Sequence, residues 1–234
     1  MEELFSRTEL IYGKDAMTKL ANSHVCIFGV GGVGGYVAES LARTGIGRFT
    51  LIDNDTVNLS NFNRQIIATK ETLGKYKVDA MKERILSINE NAIVEVKKMF
   101  VLPENIDEID FNQFDYIVDA IDTVKAKLAI IVKANELNIP MISSMGAGNK
   151  LNPMGFIVAD INKTEYCPLA KKIRLELRKL GVKKLKVVFS KEQPVQLTEQ
   201  QFNGNNKPIP GSNAFVPSAC GLLIGSEVVN DLLK

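Results

Sequence analysis

The pattern of hydrophobic and polar positions predicts alternating strands and helices along most of the chain. Short apolar runs that end at a glycine or a polar turn are typical of strands buried on both faces. Stretches in which apolar residues recur every three or four positions indicate helices. The predicted strands are residues 24–28, 49–52, 93–96, 116–118, 140–143, 155–159 and 185–189. The predicted helices are residues 8–22, 33–43, 71–88, 124–137, 168–180 and 219–233.

This alternation predicts an α/β fold with a Rossmann-like, doubly wound, mostly parallel sheet, because parallel strands need helical crossovers that cover both faces. Two segments show neither the strand pattern nor the helical pattern. Residues 54–69 are polar and rich in Asn, and we predict a loop there. Residues 192–213 carry Pro, Gln, Gly and Asn in quantity, and we expect them to form a crossover or a mobile loop over the site.

The composition is typical of a globular protein in a reducing compartment. Of the 234 residues, 45% are hydrophobic and 24% are charged, which are ordinary proportions. No apolar run reaches the ~20 residues that span a bilayer, so we expect no transmembrane segment. The first residues lack the basic start and apolar stretch of a signal peptide. Cys26, Cys167 and Cys220 are scattered and odd in number, which excludes a disulfide framework and favours a cytoplasmic location.

One segment concentrates positive charge although the formal net charge is only +2. Between Lys171 and Lys191 the chain carries nine Lys or Arg residues, opposed only by Glu176. Such a block is compatible with a solvated helix face. It is also compatible with a surface that contacts a phosphate backbone, because clustered cations bind nucleic acid by releasing its counterions.

A glycine-rich turn between the first predicted strand and the next helix is the first chemical motif. Its glycines are Gly29, Gly31, Gly32 and Gly34. Asp53 follows Gly34 by nineteen residues. Glycines let backbone N–H groups approach a polyphosphate, the helix N-terminus favours its charge, and a carboxylate at this spacing typically binds a ribose hydroxyl. By itself the motif predicts only a bound nucleotide.

Further polar groups favour a triphosphate over a nicotinamide dinucleotide. Residues 58–65 place one fixed cation and amide donors after Asp53, a lysine stands on the first turn of the next helix, and a carboxylate follows the strand at 116–118. Cations would stabilise the charge that accumulates on a leaving pyrophosphate, and a carboxylate beside phosphates is a natural magnesium ligand. These residues are Asn61, Arg64, Gln65, Lys77 and Asp122.

Each residue also has a structural interpretation when it is taken alone. Asp122 could cap the helix that follows it. Lys77 and Arg64 could be solvated surface residues. The joint order and spacing of the three favour the chemical interpretation.

Together these motifs resemble the adenylating enzymes that activate ubiquitin-like proteins, and their bacterial relatives in thiamine and molybdopterin synthesis. The resemblance runs over about residues 5–233 and rests on G-x-G-G-x-G, Asp53-x-Asp55, Asn61-x-x-Arg64-Gln65, Lys77 and Asp122. Flanking segments look like the branch that dehydrates threonylcarbamoyladenosine in tRNA to its cyclic form. These segments are residues 7–13, 41–47, 119–122 and 187–190.

The resemblance implies the sheet of the ubiquitin-activating type, with residues 1–234 forming one adenylation domain. Residues 5–150 would bind the nucleotide, and residues 151–234 would bind the substrate and support a dimer. The implied catalytic residues are Arg7, Arg64, Lys77 and Asp122. The implied nucleotide-binding residues are Gly29, Gly31, Gly32, Gly34, Asp53, Asp55, Asn61, Arg64, Gln65 and Lys77. Asp122 would also hold Mg²⁺ and position the substrate carboxylate, and Arg7 would be donated to the partner subunit of a homodimer.

The implied reaction is the ATP-dependent cyclisation of threonylcarbamoyladenosine through an acyl-adenylate on the threonyl carboxylate, with tRNA as the partner. Whether the reaction also uses a monovalent cation or a sulfur-relay protein is left open by the sequence. The alternative is adenylation of the C-terminus of a ubiquitin-like sulfur carrier. A nucleotide-sensing RNA-binding protein without turnover, and a dehydrogenase that prefers NAD to ATP, are the further alternatives.

The cysteines favour chemistry without a thiol. Three isolated cysteines cannot form the four-thiolate zinc site of many sulfur-carrier activators. No cysteine lies between Ser190 and Ser212, where thiol-transferring relatives keep one. Cys167 precedes a predicted helix and is either structural or, as in some thioester-forming relatives, nucleophilic. We expect Cys26 and Cys220 to pack in the core, and we assign no role to His24, the single histidine.

Overall fold

The structure is a computed structural model that describes residues 3–202 and 208–234. Seven strands form one sheet in the order β3-β2-β1-β4-β5-β7-β6. All pairs are parallel except β6 with β7, which confirms the predicted doubly wound, mostly parallel α/β sheet. The strands are β1 (His24–Phe28), β2 (Arg48–Ile52), β3 (Ile93–Lys97), β4 (Tyr116–Asp119), β5 (Met141–Ser144), β6 (Phe156–Asp160) and β7 (Lys186–Ser190).

Helices cover both faces of the sheet. They are α1 (Ser6–Tyr12), α2 (Lys14–Asn22), α3 (Gly34–Thr44), α4 (Lys77–Ile88), α5 (Val124–Glu136), α6 (Pro168–Lys179) and α7 (Val216–Leu232). Side chains alternate across β1: Val25 and Ile27 join the core beneath α3, α4 and α7, whereas Cys26 and Phe28 join the core beneath α5. This alternation is why the central strand is apolar at every position, and it confirms that Cys26 packs in the core.

Two predicted helices have different bounds in the structure. The helix expected over residues 8–22 is divided at Gly13, whose φ of 85° lies in the left-handed region and ends α1. The helix expected over residues 71–88 begins only at Lys77. Gly74, also left-handed, donates its N–H to the Val57 carbonyl, so the residues before α4 form turns.

The segment at residues 192–213 contains no helix in its described part. Its prediction as a loop is confirmed there, while residues 203–207 lie outside the described residues. Asn149 holds the segment at two points, because its carbonyl accepts from the Val195 N–H at 2.8 Å and its Oδ1 accepts from the Gly211 N–H at 2.6 Å. Farther along, the Ser212 carbonyl accepts from Asn63 Nδ2 at 3.0 Å. The end of this segment therefore touches the predicted phosphate-binding loop.

The C-terminal helix α7 packs unusually close to α3. A Cβ added at Gly221 would lie 2.4 Å from the Val33 carbonyl oxygen, and one added at Gly225 would lie 2.1 Å from Ser40 Oγ. Only glycine permits this approach. Cys220 is fully buried between the two helices and the sheet, as expected. No helix in the described part of the chain is long and apolar enough to cross a membrane.

His24 has a structural role that the sequence did not reveal. Its Nδ1 is 3.0 Å from the Gln113 carbonyl oxygen, its Nε2 is 2.9 Å from Thr50 Oγ1, and its ring meets Phe114 edge-on. Burial, followed by the nearby Arg48 charge, lowers the pKa of this imidazole below its usual value. The folded chain therefore prefers the neutral ring.

We predict that the free energy of unfolding falls between pH 7 and pH 5.5. The unfolded imidazole takes up a proton near pH 6.5 while the folded ring resists it, so stability is lost as the pH decreases, by at most about 1.4 kcal/mol per pH unit for one proton. Urea denaturation at the two pH values measures the loss. His24→Gln should show a flatter profile, and an identical slope in this variant would contradict the assignment.

Candidate functional site

The predicted site residues gather at the carboxyl edge of the sheet. The glycine turn follows β1, Asp53 follows β2, and Asp122 follows β4. These three strands are adjacent and parallel, so their ends meet at one edge. This is where doubly wound sheets bind their ligands.

The glycine turn is held tightly against the loop that follows β4. Gly29 has a φ of 86°, and a Cβ there would lie 2.9 Å from the Ala120 carbonyl oxygen. A Cβ on Gly34 would lie 1.8 Å from the Gly29 carbonyl oxygen. By contrast, the nearest atom to a Cβ on Gly31 is Gln65 Nε2 at 3.8 Å. Gly29 and Gly34 are thus required by the fold itself, whereas the space beside Gly31 is open to a ligand.

Asp53 orders the backbone of the glycine turn and that of the loop after β2. Its Oδ2 accepts a hydrogen bond from the Val30 N–H at 2.8 Å, and its Oδ1 accepts one from the Asp55 N–H at 2.8 Å. A carboxylate offers about four acceptor positions, so capacity for ribose hydroxyls is left. The half-buried side chain therefore combines a structural role with a possible ligand contact.

Arg64 supplies a cation that no carboxylate neutralises. Its guanidinium donates to the Ser60 carbonyl at 2.7 Å and to Asn63 Oδ1 at 2.9 Å. It forms no ion pair within residues 3–202 and 208–234. A fixed, half-buried cation in this state favours an anionic ligand.

Two amides complete the same loop. Asn61 is buried, and its Oδ1 accepts from the Asn58 N–H at 3.0 Å, which fixes the turn that carries Arg64. Gln65 is only 7% exposed, and its Oε1 has no hydrogen-bond partner in the described part of the chain. Buried amide oxygens are rarely left unpaired, so Gln65 is compatible with a ligand at this position.

Lys77 begins α4 and is buried, which contradicts its interpretation as a solvated residue. Its Nζ lies 2.6 Å from Asp55 Oδ2, and the Asp55 side chain is largely exposed. The second carboxylate of the Asp53-x-Asp55 motif therefore orients the lysine. The sequence named both residues but did not pair them.

Asp122 is exposed and makes no hydrogen bond or ion pair with any residue that the structure describes. Its interpretation as a helix cap is not supported, because Thr123 occupies the N-cap position of α5. The residue therefore presents a free carboxylate beside the glycine turn.

A buried network beneath Asp122 was missed by the sequence analysis. Asp119 Oδ2 accepts from Lys127 Nζ at 2.8 Å and from Ser143 Oγ at 2.6 Å, and all three side chains are fully buried. Asp119 Oδ1 also accepts from the Ile121 N–H at 3.3 Å. The network fixes the turn between β4 and α5. The eight-residue spacing from Asp119 to Lys127 was visible in the sequence, but the Ser143 contact was not.

Two other candidates stand apart from the cluster. Arg7 is exposed on α1, and no hydrogen bond or ion pair in the described residues joins it to the other site residues. Cys167 is buried at the N-cap of α6, where its Sγ accepts from the Ala170 N–H at 3.5 Å. Its burial favours the structural interpretation over the nucleophilic one, because a nucleophilic thiol must be accessible to its substrate.

Fold and site together are those of a nucleotide-binding α/β protein with a cationic loop and a free carboxylate. The sequence profile of the ThiF family matches residues 5–233, and the chain belongs to this family.

Individual members of the family show which activities are found among proteins similar to this chain. The chain is 46% identical over 240 residues to the tRNA threonylcarbamoyladenosine dehydratase of Bacillus subtilis (strain 168), covering 98% of this chain and 94% of the relative. It is similar to the crystal structure of the E. coli tRNA N6-threonylcarbamoyladenosine dehydratase TcdA in complex with ATP, with a TM-score of 0.91 and 36% identity, over 99% of this chain and 94% of the other. A molybdopterin-synthase adenylyltransferase of Haemophilus influenzae is 32% identical over 61% of this chain and 62% of its own length.

We predict that Lys127→Met lowers the free energy of unfolding by about 3–5 kcal/mol, because Asp119 is left as an uncompensated buried charge. The double variant Asp119→Asn/Lys127→Met removes both charges and should recover most of this loss. Chemical denaturation measures both. The matched control is Lys75→Met, which breaks the exposed pair with Glu83 and should cost no more than about 1 kcal/mol. Equal losses in the single and double variants would contradict a buried ion pair.

Proposed function

We propose that this protein dehydrates threonylcarbamoyladenosine in tRNA to the cyclic form, using ATP to adenylate the threonyl carboxylate. The observation that carries the proposal is the unneutralised Arg64 and the free Asp122 beside a glycine turn on one edge of the sheet. This arrangement suits a triphosphate whose charge increases during reaction. The named activity of the Bacillus relative, similar over nearly the whole chain, supports the substrate.

Each nucleotide-binding residue has a role in this proposal. The backbone N–H groups of the turn from Gly29 to Gly34 would bind phosphate oxygens, and Asp53 would accept from the ribose. The ATP complex of the E. coli relative supports ATP as the nucleotide. Side chains that would contact the phosphates or orient those that do are Asp55, Asn61, Arg64, Gln65 and Lys77.

Asp122 fits a magnesium ligand. No group of three or more His, Cys, Asp or Glu side chains that could hold a metal occurs in the described residues. A magnesium ion is commonly held by one or two carboxylates together with substrate phosphates, and one free carboxylate meets that need. When bound, Mg²⁺ would supply charge neutralisation on the triphosphate.

The reaction needs two bond exchanges and no enzyme nucleophile. A threonyl carboxylate oxygen attacks the α-phosphorus, and the bond to pyrophosphate breaks. A nucleophile within the same modified base then attacks the acyl carbon, closes the ring and expels AMP. Because both reacting groups belong to one molecule, orientation replaces a high concentration of a second reactant. The buried Cys167 and the absence of cysteine from residues 190–212 agree with a route that uses no thiol.

Activation of a sulfur carrier is the second candidate, supported by the more distant molybdopterin-synthase relative. A nucleotide sensor without turnover is less well supported, because it needs neither the free Asp122 nor the cation of Arg64. A dehydrogenase that prefers NAD to ATP stays only an alternative, while a monovalent cation and a sulfur-relay protein stay open predictions from the sequence. The use of tRNA and ATP supports a cytoplasmic location.

The proposal includes a homodimer. Leu10 and Ile11 on α1 are 86% and 79% exposed, and Arg7 stands one turn before them. An apolar helix face of this kind is favoured at an interface between subunits. A second copy packed on α1 would bury it and could receive Arg7 in its nucleotide site. In this proposal residues 5–150 bind the nucleotide, while residues 151–234 bind the substrate and support the dimer.

The proposed function predicts a mass change in the product. Incubation with ATP, Mg²⁺ and tRNA that carries threonylcarbamoyladenosine should give nucleosides lighter by one water, with one AMP formed per product. Mass spectrometry of the digested tRNA measures this. Asp122→Asn should slow the reaction roughly 100- to 1,000-fold, because it removes the carboxylate charge that would hold Mg²⁺ on the triphosphate. AMP formation that requires a ubiquitin-like carrier instead of tRNA would favour the second candidate.

Donation of Arg7 across a dimer predicts complementation between two defective chains. Arg7→Ala and Asp122→Asn should each be nearly inactive as homodimers. A mixed dimer, co-expressed with two affinity tags, pairs an intact Asp122 in one subunit with an intact Arg7 in the other. It should recover about half of the wild-type rate, since one of the two equivalent sites is complete. An inactive mixed dimer would show that Arg7 acts within its own chain.

A further inference from the structure

We propose that Tyr166, the outward face of α6 and the loop after α6 form the RNA-contact surface, with Tyr166 stacking against an unpaired base of the RNA. This inference rests on the proposed function, which names RNA as the substrate but not the residues that hold it. We call this set of residues the α6 surface. Its cationic members are Lys171, Lys172 and Arg178 on the helix, and Lys183 and Lys184 in the loop between α6 and β7.

Helix α6 buries an apolar face and exposes a basic one, on which Leu175 is also exposed. Ala170, Ile173 and Leu177 point into the core shared with α5. The lysines and arginine of the α6 surface are all exposed. Within residues 3–202 and 208–234 none of them forms an ion pair with a carboxylate. Exposed cations that protein carboxylates leave unneutralised suit a partner that carries many negative charges.

Two further cations of the basic segment, Arg174 and Lys186, are tied to the fold, and a third, the exposed Lys179, pairs with Glu176 at 2.8 Å. Arg174 is half-buried and donates to the Thr164 carbonyl at 3.0 Å, which ties α6 to the turn after β6. Lys186 lies in β7 and pairs with Glu227 at 2.9 Å and with Asp231 at 2.7 Å. These two residues hold the fold together and are not free to bind phosphates.

Tyr166 is held in an unfavourable backbone conformation. Among the described residues three that are not glycine have a positive φ: Asn138, Asn149 and Tyr166, the last at 54°. Asparagine tolerates this region because its short side chain bonds locally, but a tyrosine does not. The Tyr166 side chain is nevertheless 54% exposed and has no hydrogen bond or ring contact within the described part of the chain. The ring therefore contributes little to the stability of the fold.

Tyr166 lies at the same edge of the sheet as the candidate site. Helices α5 and α6 pack against each other, and both begin at the carboxyl edge of the sheet. Asp122 precedes α5 and Tyr166 precedes α6. The start of α6 is fixed there by a close contact with Gly146, just after β5. A Cβ added at Gly146 would lie 3.5 Å from Cys167 Sγ. Packed helix axes are about 8–10 Å apart, which is close to the breadth of one nucleoside.

A single-stranded RNA loop fits these features better than a duplex. Unpaired bases are commonly recognised by stacking on aromatic side chains, while basic groups follow the backbone. With one base on Tyr166, the carboxylate arm of the modified adenosine could reach Asp122. The flanking strand would run along α6, which is about 18 Å long for its 12 residues. The α6 surface would thus bind the RNA and position the reacting group.

The test of stacking compares three substitutions at one position. Tyr166→Phe keeps the ring and should leave the KM for the modified tRNA nearly unchanged. Tyr166→Ala and Tyr166→Asn remove the ring and should raise it about 5- to 150-fold, the range measured for stacking of one base. ATP binding should be unchanged in all three. Tyr166→Asn should also raise the thermal midpoint, because asparagine accepts the positive φ.

These readouts distinguish recognition from a structural role. If Tyr166 were needed only for folding, its substitution would lower both the stability of the protein and its affinity for RNA. We expect Tyr166→Asn to raise the stability and to lower the affinity. Unchanged tRNA affinity in both ring-deleted variants would overturn the stacking assignment. A wild-type protein that does not dehydrate the modified tRNA at all would instead reject the proposed function.

The charge contribution has a matched control. Lys171→Glu/Lys172→Glu should weaken tRNA binding and reduce the salt dependence of log Kd by roughly 1.4 for two lost phosphate contacts with a single strand. Lys14→Glu/Lys19→Glu makes the same charge change on exposed residues of α2 and should leave the slope nearly unchanged. Filter binding at four salt concentrations measures both. Equal slopes in the two double variants would show that only net charge matters, and would overturn the α6 surface.

Discussion

The contact between the glycine turn and the loop after β4 is the constraint on which the site depends. Two backbones meet there at a distance that no side chain permits, and the buried Asp119–Lys127 pair holds one of them in place. Because the turn would bind phosphate and Asp122 ends the opposing loop, one contact sets the geometry between them. A salt bridge with no solvent exposure is a costly way to stabilise a fold, but it is an effective way to fix one loop conformation.

The two edges of the sheet differ in how their polar groups are used. Near the carboxyl edge the chain leaves polar groups unsatisfied, among them the Gln65 amide oxygen and the Arg64 charge. At the opposite edge His24 is paired with Thr50 and Gln113, although the buried Arg48 Nε beside it has no hydrogen-bond partner in the described part of the chain. The unpaired Gln65 oxygen, the Arg64 cation and the free Asp122 together mark the carboxyl edge as the one that suits a ligand.

Most of the fold was accessible from the sequence, since apolar runs and helical periods are local signals. The errors at Gly13 and before Lys77 arose where a glycine ended or delayed a helix inside an otherwise helical pattern. The site residues after β1, β2 and β4 were identified because their motifs are contiguous. The contacts that organise them were not, because Asp119 meets Ser143 and Lys77 meets Asp55 only after the strands align. Arg174 likewise could not be told from its exposed neighbours, since helical spacing does not show which carbonyl a guanidinium reaches.

The close packing of α7 on α3 has a consequence for how the chain can be divided. Gly221 and Gly225 lie against the helix that begins in the glycine turn, although about 170 residues separate the two helices in sequence. The N-terminal portion therefore lacks one wall of its own core until α7 has been synthesised. We therefore expect that residues before α7 cannot complete this core by themselves and do not fold as an independent first half.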